Sequence, residues 1–127
     1  MGGRGSFVNV DAGDFTFRTG GQTYVSKGMI DNVKVIEKVG SDSVGAPFLS
    51  HTANRIYATV QNGRLKYLTF YDQNHNQIEA VDLQHRHKGL KPHVHFDVQH
   101  GRFSKYRAPN AEEQAIINKI KSKMRLR

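Results

Sequence analysis

The chain has 127 residues, contains no cysteine and carries a formal net charge of +8 at pH 7. This length predicts a single domain spanning residues 1–127. The lack of cysteine excludes disulfides, thiolate nucleophiles and cysteine-ligated metal sites. No apolar run reaches the about 20 residues that a membrane-spanning helix needs. The glycine-rich segment 1–6, which we expect to be flexible, has no apolar core of a secretory signal, so we expect a cytoplasmic protein without a membrane partner.

The positive charge is concentrated in the last third of the chain. Residues 1–83 contain 8 basic and 8 acidic residues, whereas residues 84–127 contain 11 basic and 3 acidic residues. A basic surface on one side of a protein attracts polyanions, of which nucleic acid is the commonest. The distribution therefore predicts a nucleic-acid partner, and the alternative is that these residues only keep the chain in solution.

The first third of the chain predicts short strands. Residues 7–38 contain several runs in which apolar and polar residues alternate, and Gly20–Gly21 is typical of a turn between two of them. We expect three or four strands in this segment. Residues 39–54 are rich in Gly, Ser and Asp, which predicts a loop, and a short helix is the alternative.

The middle of the chain predicts an antiparallel meander of four strands. We expect these strands over residues 55–60, 64–71, 77–86 and 92–98. Asn62–Gly63 separates the first two. This dipeptide favours a type I′ hairpin turn, because both of its residues tolerate positive φ.

A helix is predicted over residues 109–125. Asn110 and Glu113 have the spacing of a capping box. The apolar residues form one stripe at helical spacing: Ile116, Ile117, Ile120 and Met124. The elements together predict an α+β fold, an antiparallel β-meander preceded by a β-rich N-terminal region, with a C-terminal amphipathic helix that packs on the sheet.

Two His-x-His pairs flank a short turn in the segment 81–96. The four histidines are His85, His87, His93 and His95. Residues two apart in a strand share a face, so each pair points to one side of the sheet. Imidazoles in this arrangement can ligate zinc, copper, nickel or iron. They can also exchange protons as acid and base near neutral pH.

The apolar residues of this segment favour one strand register. We expect three pairs: Val94 with His85, Phe96 with Leu83, and Val98 with Val81. Burial usually decides register, because a one-residue slip turns every side chain to the other face. His93 and His95 then share the opposite face with Arg86 and Gln84. A bulge near the turn would instead bring all four histidines together as a metal site.

Acid–base catalysis is the leading interpretation of the histidines. Ribonucleases that use no metal need a base for the ribose 2′-OH, an acid for the leaving 5′-oxygen and a cation for the charge that develops on phosphorus. His93 and His95 are the candidate base and acid, Arg86 is the candidate charge stabiliser, and His87 is a further catalytic candidate. This chemistry requires no cofactor. Two aspartates are available to orient an imidazole: Asp82 and Asp97.

Basic residues near the histidines are candidate phosphate contacts. They are Lys88, Lys91, Arg102, Lys105 and Arg107. Phe103 and Tyr106 alternate with the last three of them. Unpaired bases stack on aromatic rings, so this interleaving modestly favours single-stranded nucleic acid.

The histidine segment also resembles a known group of nucleases. The residues that carry the resemblance are Asp82, His85 or His87, Gly89 and Pro92-His93-x-His95. They look like the C-terminal signature of small nuclease-like domains in phage head-region proteins and bacterial polymorphic toxins, the barnase–EndoU–colicin–RelE-like superclass. The resemblance covers about residues 55–100, and the segment 1–6 resembles the start of small phage and prophage proteins. It implies an antiparallel sheet packed on a helix and metal-independent cleavage of RNA.

Three functions follow from these patterns. The leading one is a phage-type basic protein that binds RNA, in preference to DNA, and cleaves it with paired histidines. The first alternative is a phage protein without enzymatic activity that binds nucleic acid or blocks a host protein complex. The second alternative is a metal-binding domain whose ligands are the four histidines of the two pairs.

Overall fold

The computed structural model describes residues 16–19, 22–40, 45–47, 49–86 and 89–127. Eight strands and one helix lie in these ranges. The strands are β1 (Thr16–Thr19), β2 (Gln22–Ile30), β3 (Val33–Lys38), β4 (Ile56–Gln61), β5 (Arg64–Tyr71), β6 (Gln77–Asp82), β7 (His93–Gln99) and β8 (Arg102–Arg107), and the helix is α1 (Ala111–Met124). The predictions for residues 1–6, for Gly20–Gly21 and for His87 and Lys88 lie outside the described residues.

All eight strands form one sheet in chain order, from β1 to β8. Neighbouring strands are antiparallel except β3 and β4, which are parallel. A parallel pair needs a long crossover connection, which residues 39–55 provide. Gly45 and Pro47 of this connection accept hydrogen bonds from the hydroxyl groups of Tyr24 and Tyr71. The predicted α+β class, with a meander and a C-terminal helix, is confirmed.

The helix packs on one face of the sheet. Ile117 and Ile120 are buried there against a set of strand residues: Val33, Val35, Ala58, Val60, Leu65, Leu68, Val81 and Val94. The opposite face holds a separate buried cluster of Tyr24, Ile36, Tyr57 and Tyr71. The sheet therefore has an apolar face under the helix and a second face that is richer in polar and aromatic side chains.

Two features predicted from short sequence patterns are present in the structure, the turn between β4 and β5 and the N-terminal cap of α1. Asn62 and Gly63 both have positive φ, 56° and 72°, as the type I′ turn requires. Asn110 caps α1 in a capping box with Glu113. At 14 residues, α1 is too short to cross a membrane, and no other helix lies in the described part of the chain.

Two strands differ from the prediction. The strand expected over residues 77–86 ends at Asp82, because the Oδ1 atom of Asp82 accepts hydrogen bonds from the backbone N–H groups of Gln84 (2.7 Å) and His85 (2.9 Å). This Asx turn bends the chain away from the sheet. The basic and aromatic segment Arg102–Arg107 forms an edge strand, β8, for which the sequence analysis predicts no element.

A cluster of one arginine and two glutamates joins the helix to the last strands. The guanidinium of Arg107 donates two hydrogen bonds to the carboxylate of Glu113, at 2.8 and 2.9 Å. Its Nη2 atom lies 3.7 Å from a carboxylate oxygen of Glu79. Burial and then the neighbouring Glu113 raise the pKa of Glu79 to about 7. Burial alone would raise the pKa of Glu113, but hydrogen bonds from Arg107, Glu79 and the Asn110 N–H lower it to about 2.

We expect the stability of wild type to fall as the pH rises from about 4.5 to about 7, and we expect Glu79→Gln to abolish this pH dependence. The pKa of Glu79 is higher in the folded chain than its ordinary value of 4.5. The folded chain therefore holds this proton more tightly, and the free energy of unfolding falls as the pH rises from about 4.5 to about 7. Because Glu79 is partly exposed, the gain from Glu79→Gln above pH 7 is about 1 kcal/mol.

Urea denaturation of wild type and Glu79→Gln on both sides of this pH window measures the effect. Glu37→Gln is the matched control. It removes the same charge from a glutamate that forms an exposed ion pair with Lys27. Equal pH dependence of wild type and Glu79→Gln would show that Glu79 does not carry the effect. Glu113 acts in the opposite direction, since its contribution is lost only as the pH falls from about 4.5 to about 2.

Candidate active site

The pairing of β6 with β7 brings the histidines to the sheet face opposite α1. Asp82 lies directly opposite His93, and Ala80 lies opposite His95. Side chains alternate along a strand, and Val81 and Val94 point to the helix. The side chains of Asp82, His93 and His95 therefore share the other face.

The observed register corrects the predicted one. Val81 pairs with Val94 and not with Val98, a shift of four residues. The cause is the Asx turn at Asp82, which ends β6 early and leaves residues 83–92 as the connection. An even shift leaves the paired residues 79–82 and 93–96 on their predicted faces. His85, predicted opposite Val94 on the apolar face, lies instead beside Asp82. The prediction that His93 and His95 lie opposite the apolar face is therefore confirmed, whereas the predicted place of Arg86 beside them in the register is wrong.

Four side chains form a continuous cluster, which we call the histidine cluster: Asp82, His85, His93 and His95. The Nε2 atoms of His93 and His95 lie 3.0 Å apart, and their rings meet edge to face. The Oδ2 atom of Asp82 lies 3.8 Å from Nε2 of His93 and 3.0 Å from Nδ1 of His85. Asp82 therefore connects His85 to the pair of histidines on β7.

The exposure of the cluster increases from its centre to His85. The side chain of His93 is 3% exposed and that of Asp82 is 12% exposed, whereas that of His85 is 62% exposed. His95 is half-buried. The cluster thus has a buried centre, formed by His93 and Asp82, and accessible groups on both sides of it.

The hydrogen bonds define what each imidazole can do. Because the Asp82 carboxylate accepts from N–H groups, it favours the tautomer of His85 that carries the proton on Nδ1. The Nε2 atom of His85 then has its lone pair, which is how an aspartate prepares a histidine to act as a base. A hydrogen bond between His93 and His95 needs an N–H on one ring and a lone pair on the other, so one imidazole donates from Nε2 and the other accepts.

Aromatic residues surround the cluster. The ring of Phe103 stacks on the imidazole of His95, with the ring centroids 5.9 Å apart. Tyr106 lies opposite His95 on β8 and is 38% exposed. Tyr67 lies opposite Asp82 on β5, and burial followed by the charge of Asp82 raises its pKa, which keeps the phenol protonated. A cavity of about 620 Å³ continues beside Phe103, lined also by Ile78, Val98 and Arg102.

The predicted catalytic arginine lies apart from the paired histidines. Arg86 is exposed in the connection between β6 and β7, and its guanidinium donates to the carbonyl of Gly89 at 3.3 Å. His87, the further catalytic candidate, lies outside the described residues. Catalytic roles for Arg86 and His87 therefore stay predictions.

The predicted phosphate contacts fall into two groups. Lys105 forms an ion pair with Asp97 at 3.1 Å, and Arg107 is paired with Glu113. Lys91 and Arg102 are exposed, and they line separate cavities, Lys91 together with Gln84 and Arg102 together with Phe103. The roles of these residues as phosphate contacts stay predictions. Lys88 lies outside the described residues.

Three of the four histidines of the alternative, predicted metal site lie within the described residues: His85, His93 and His95. In that part of the chain, no group of three or more His, Asp or Glu side chains is arranged to hold a metal ion. His85 reaches the other two histidines through Asp82 and not directly.

Two residues of the site, His85 and Tyr67, have contacts with Asp82 that the sequence patterns do not predict. The sequence predicts His85 as a metal ligand and as part of the nuclease-like resemblance, but not as the partner of Asp82, because that contact depends on the turn. Tyr67 is 15 residues away along the chain and reaches Asp82 only through strand pairing. The three-residue spacing of Asp82 and His85, typical of an Asx turn, is the signal that could have found their pairing.

No protein-family model, curated protein or solved structure matches this chain. Its function is therefore argued from the geometry of the histidine cluster and of the surface around it.

Proposed function

We propose that the protein cleaves RNA by acid–base catalysis with the histidine cluster. The observation that carries the proposal is the chain of contacts from His85 through Asp82 and His93 to His95, in which a buried carboxylate and a buried imidazole support two accessible imidazoles. Cleavage of RNA at its 2′-OH needs one base and one acid at the same phosphate. The cluster offers both.

His85 is the proposed base. With its Nδ1 proton donated to Asp82, its Nε2 atom accepts the proton of the ribose 2′-OH. The 2′-oxygen then forms a bond to phosphorus, and the bond from phosphorus to the 5′-oxygen breaks. Asp82 stabilises the imidazolium that forms on His85, because the two carry opposite charges in a half-buried site.

His95 is the proposed acid, supported by His93. When the pair of imidazoles carries one additional proton, His95 gives a proton from Nδ1 to the leaving 5′-oxygen. The products are a 2′,3′-cyclic phosphate and a free 5′-OH, and the proton taken by His85 balances the proton given by His95. Arg86, next to His85 in the chain, is the proposed group that stabilises negative charge on phosphorus.

The surroundings of the cluster support a single-stranded substrate. Phe103 and Tyr106 lie beside His95, where the bases next to the cleaved bond would stack on them. Lys91 and Arg102 lie on either side, where the neighbouring phosphates of a strand would pass.

The test is incubation of the chelator-treated protein with a labelled RNA and with DNA of the same sequence. We expect the RNA to be cut to products with cyclic phosphate and 5′-OH ends. The DNA should remain intact because it lacks the 2′-OH. No cleavage of RNA, or equal cleavage of DNA, would contradict the proposal. Cleavage that returns only when a metal ion is added would favour a metal-dependent mechanism instead.

A further inference from the structure

A cavity of about 400 Å³ reaches the neighbourhood of the histidine cluster at Gln84, and five of its eight lining residues are basic. We call it the basic cavity. Its basic residues are Arg64, Lys66, Lys91, Lys121 and Arg127, and its other lining residues are Leu65, Leu83 and Gln84. The lining therefore has five positive charges and no carboxylate side chain.

Four separate parts of the chain supply these charges. Arg64 and Lys66 lie at the start of β5, Lys91 precedes β7, and Lys121 lies in the last turn of α1. Arg127 is held beside them by backbone hydrogen bonds of 3.0 Å to Leu65 and to Gly63. The cavity thus exists only in the folded chain, and four of its five basic residues are no part of the predicted phosphate contacts.

The charges of the basic cavity are not balanced within the described part of the chain. There, none of the five basic side chains lies in an ion pair with a carboxylate, whereas Lys27, Lys105, Arg107 and Lys119 do. Cations that converge on one cavity repel one another, and an anion bound among them removes this cost. The basic cavity therefore has the charge and the space of an anion-binding site.

The position of Gln84 connects the basic cavity to the histidine cluster. Its side chain lines the cavity, and its Nε2 atom lies 3.4 Å from Nε2 of His85 and 3.4 Å from the hydroxyl oxygen of Tyr67. An anion in the cavity would therefore be a near neighbour of a group bound at His85.

We infer that the basic cavity binds a phosphate group of the RNA strand next to the phosphate that is cleaved. The inference rests on the proposed function for its choice of RNA, whereas the charge of the cavity is independent of it. Bound there, the phosphate would fix the position of the strand, so that the next 2′-OH lies at His85. Phosphate contacts of this kind position a nucleic acid without reading its sequence.

The test measures binding to a fluorescent 2′-O-methyl RNA oligonucleotide, which has no free 2′-OH and is not cleaved. Lys66→Gln combined with Lys121→Gln is expected to weaken binding by roughly tenfold and to lower the slope of log affinity against log salt by about 0.7, for one lost phosphate contact. Lys123→Gln is the control, compared per charge removed, since it removes one positive charge two residues beyond Lys121 in α1 and does not line the cavity.

The binding results distinguish a specific role of the basic cavity from an effect of overall charge. A loss in the double variant with little change in Lys123→Gln supports it. An equal loss per charge removed in Lys123→Gln overturns it, because binding then depends on overall charge. Unchanged RNA binding, with inorganic phosphate raising the thermal stability of wild type but not of the double variant, also overturns it, because the cavity then takes free phosphate. Cavity-dependent binding without RNA cleavage by wild type contradicts only the proposed function.

Discussion

Replacing His85 or His95 with alanine is expected to slow RNA cleavage by about 10²–10⁴-fold, the usual contribution of a general acid or base. Both side chains are accessible at the two sides of a buried centre formed by Asp82 and His93. The rate constant of a single turnover, measured with enzyme in excess over labelled RNA, reports the loss at the chemical step. Binding of the uncleavable oligonucleotide should change little.

The matched control is His100→Asn. His100 is an exposed histidine in the turn between β7 and β8, and asparagine tolerates its positive φ of 52°. We expect this variant to cleave RNA like wild type. A cleavage rate that is the same in His85→Ala, His95→Ala and His100→Asn would exclude the cluster as the site of catalysis.

Asp82→Asn tests the connection between His85 and the paired histidines. The amide oxygen of asparagine can still accept the backbone hydrogen bonds of Gln84 and His85, which hold the turn. The carboxylate that fixes the tautomer of His85 is lost, so cleavage should fall while the fold is kept. The pH profile separates this from a structural effect. Wild type needs one neutral and one protonated imidazole and should give a bell-shaped profile. In the variant the limb that belongs to the base should move to lower pH, because the imidazolium loses the carboxylate that stabilised it.

Replacing Arg107 with glutamine is expected to lower the free energy of unfolding by about 2 kcal/mol, because the buried carboxylate of Glu113 loses two hydrogen bonds from a partly exposed cation. Glu113 is only 5% exposed and receives two hydrogen bonds from Arg107. Glu79 lies in the same cluster, so the variant leaves two neighbouring carboxyl groups without their cation. The stacking of the guanidinium over the Phe96 ring, 5.3 Å from its centroid, is lost as well.

Urea denaturation of three variants decides the role of Arg107. Lys105→Gln removes a cation of the same strand whose ion pair with Asp97 is exposed, and it should cost less than about 1 kcal/mol. Adding Glu113→Gln to Arg107→Gln should recover part of the loss, because the buried charge is then removed too. If Arg107→Gln leaves stability unchanged but weakens RNA binding, Arg107 is a phosphate contact, as the sequence predicts, and not a link between strand and helix.

Strand β6 differs most clearly from its prediction. The sequence continues its apolar and polar alternation past Asp82, so the strand is predicted to run to Arg86. The structure ends it at Asp82, because a carboxylate that accepts two backbone N–H groups forms a turn there. The same turn brings His85 back to Asp82. One local hydrogen-bonding choice therefore changed the strand register, removed Arg86 from the predicted group and added His85 to the cluster.

Elements with local signals could be predicted from the sequence. Asn62–Gly63 specifies its hairpin because both residues must have positive φ, and Asn110 with Glu113 specifies the start of α1 because the cap needs only residues three apart. The face of His93 and His95 was also predictable, since Val94 between them must be buried and strand side chains alternate.

The contacts between distant parts of the chain could not be predicted from local patterns and depend on the folded structure. The parallel pairing of β3 with β4, the contact of Tyr67 with the turn at Asp82, and the basic cavity each join parts of the chain that carry no shared pattern. The cavity shows the reason most plainly. Arg64 and Lys121 are 57 positions apart in the sequence, and they line one cavity because the apolar stripe of α1 packs on the sheet and brings its basic last turn to the start of β5.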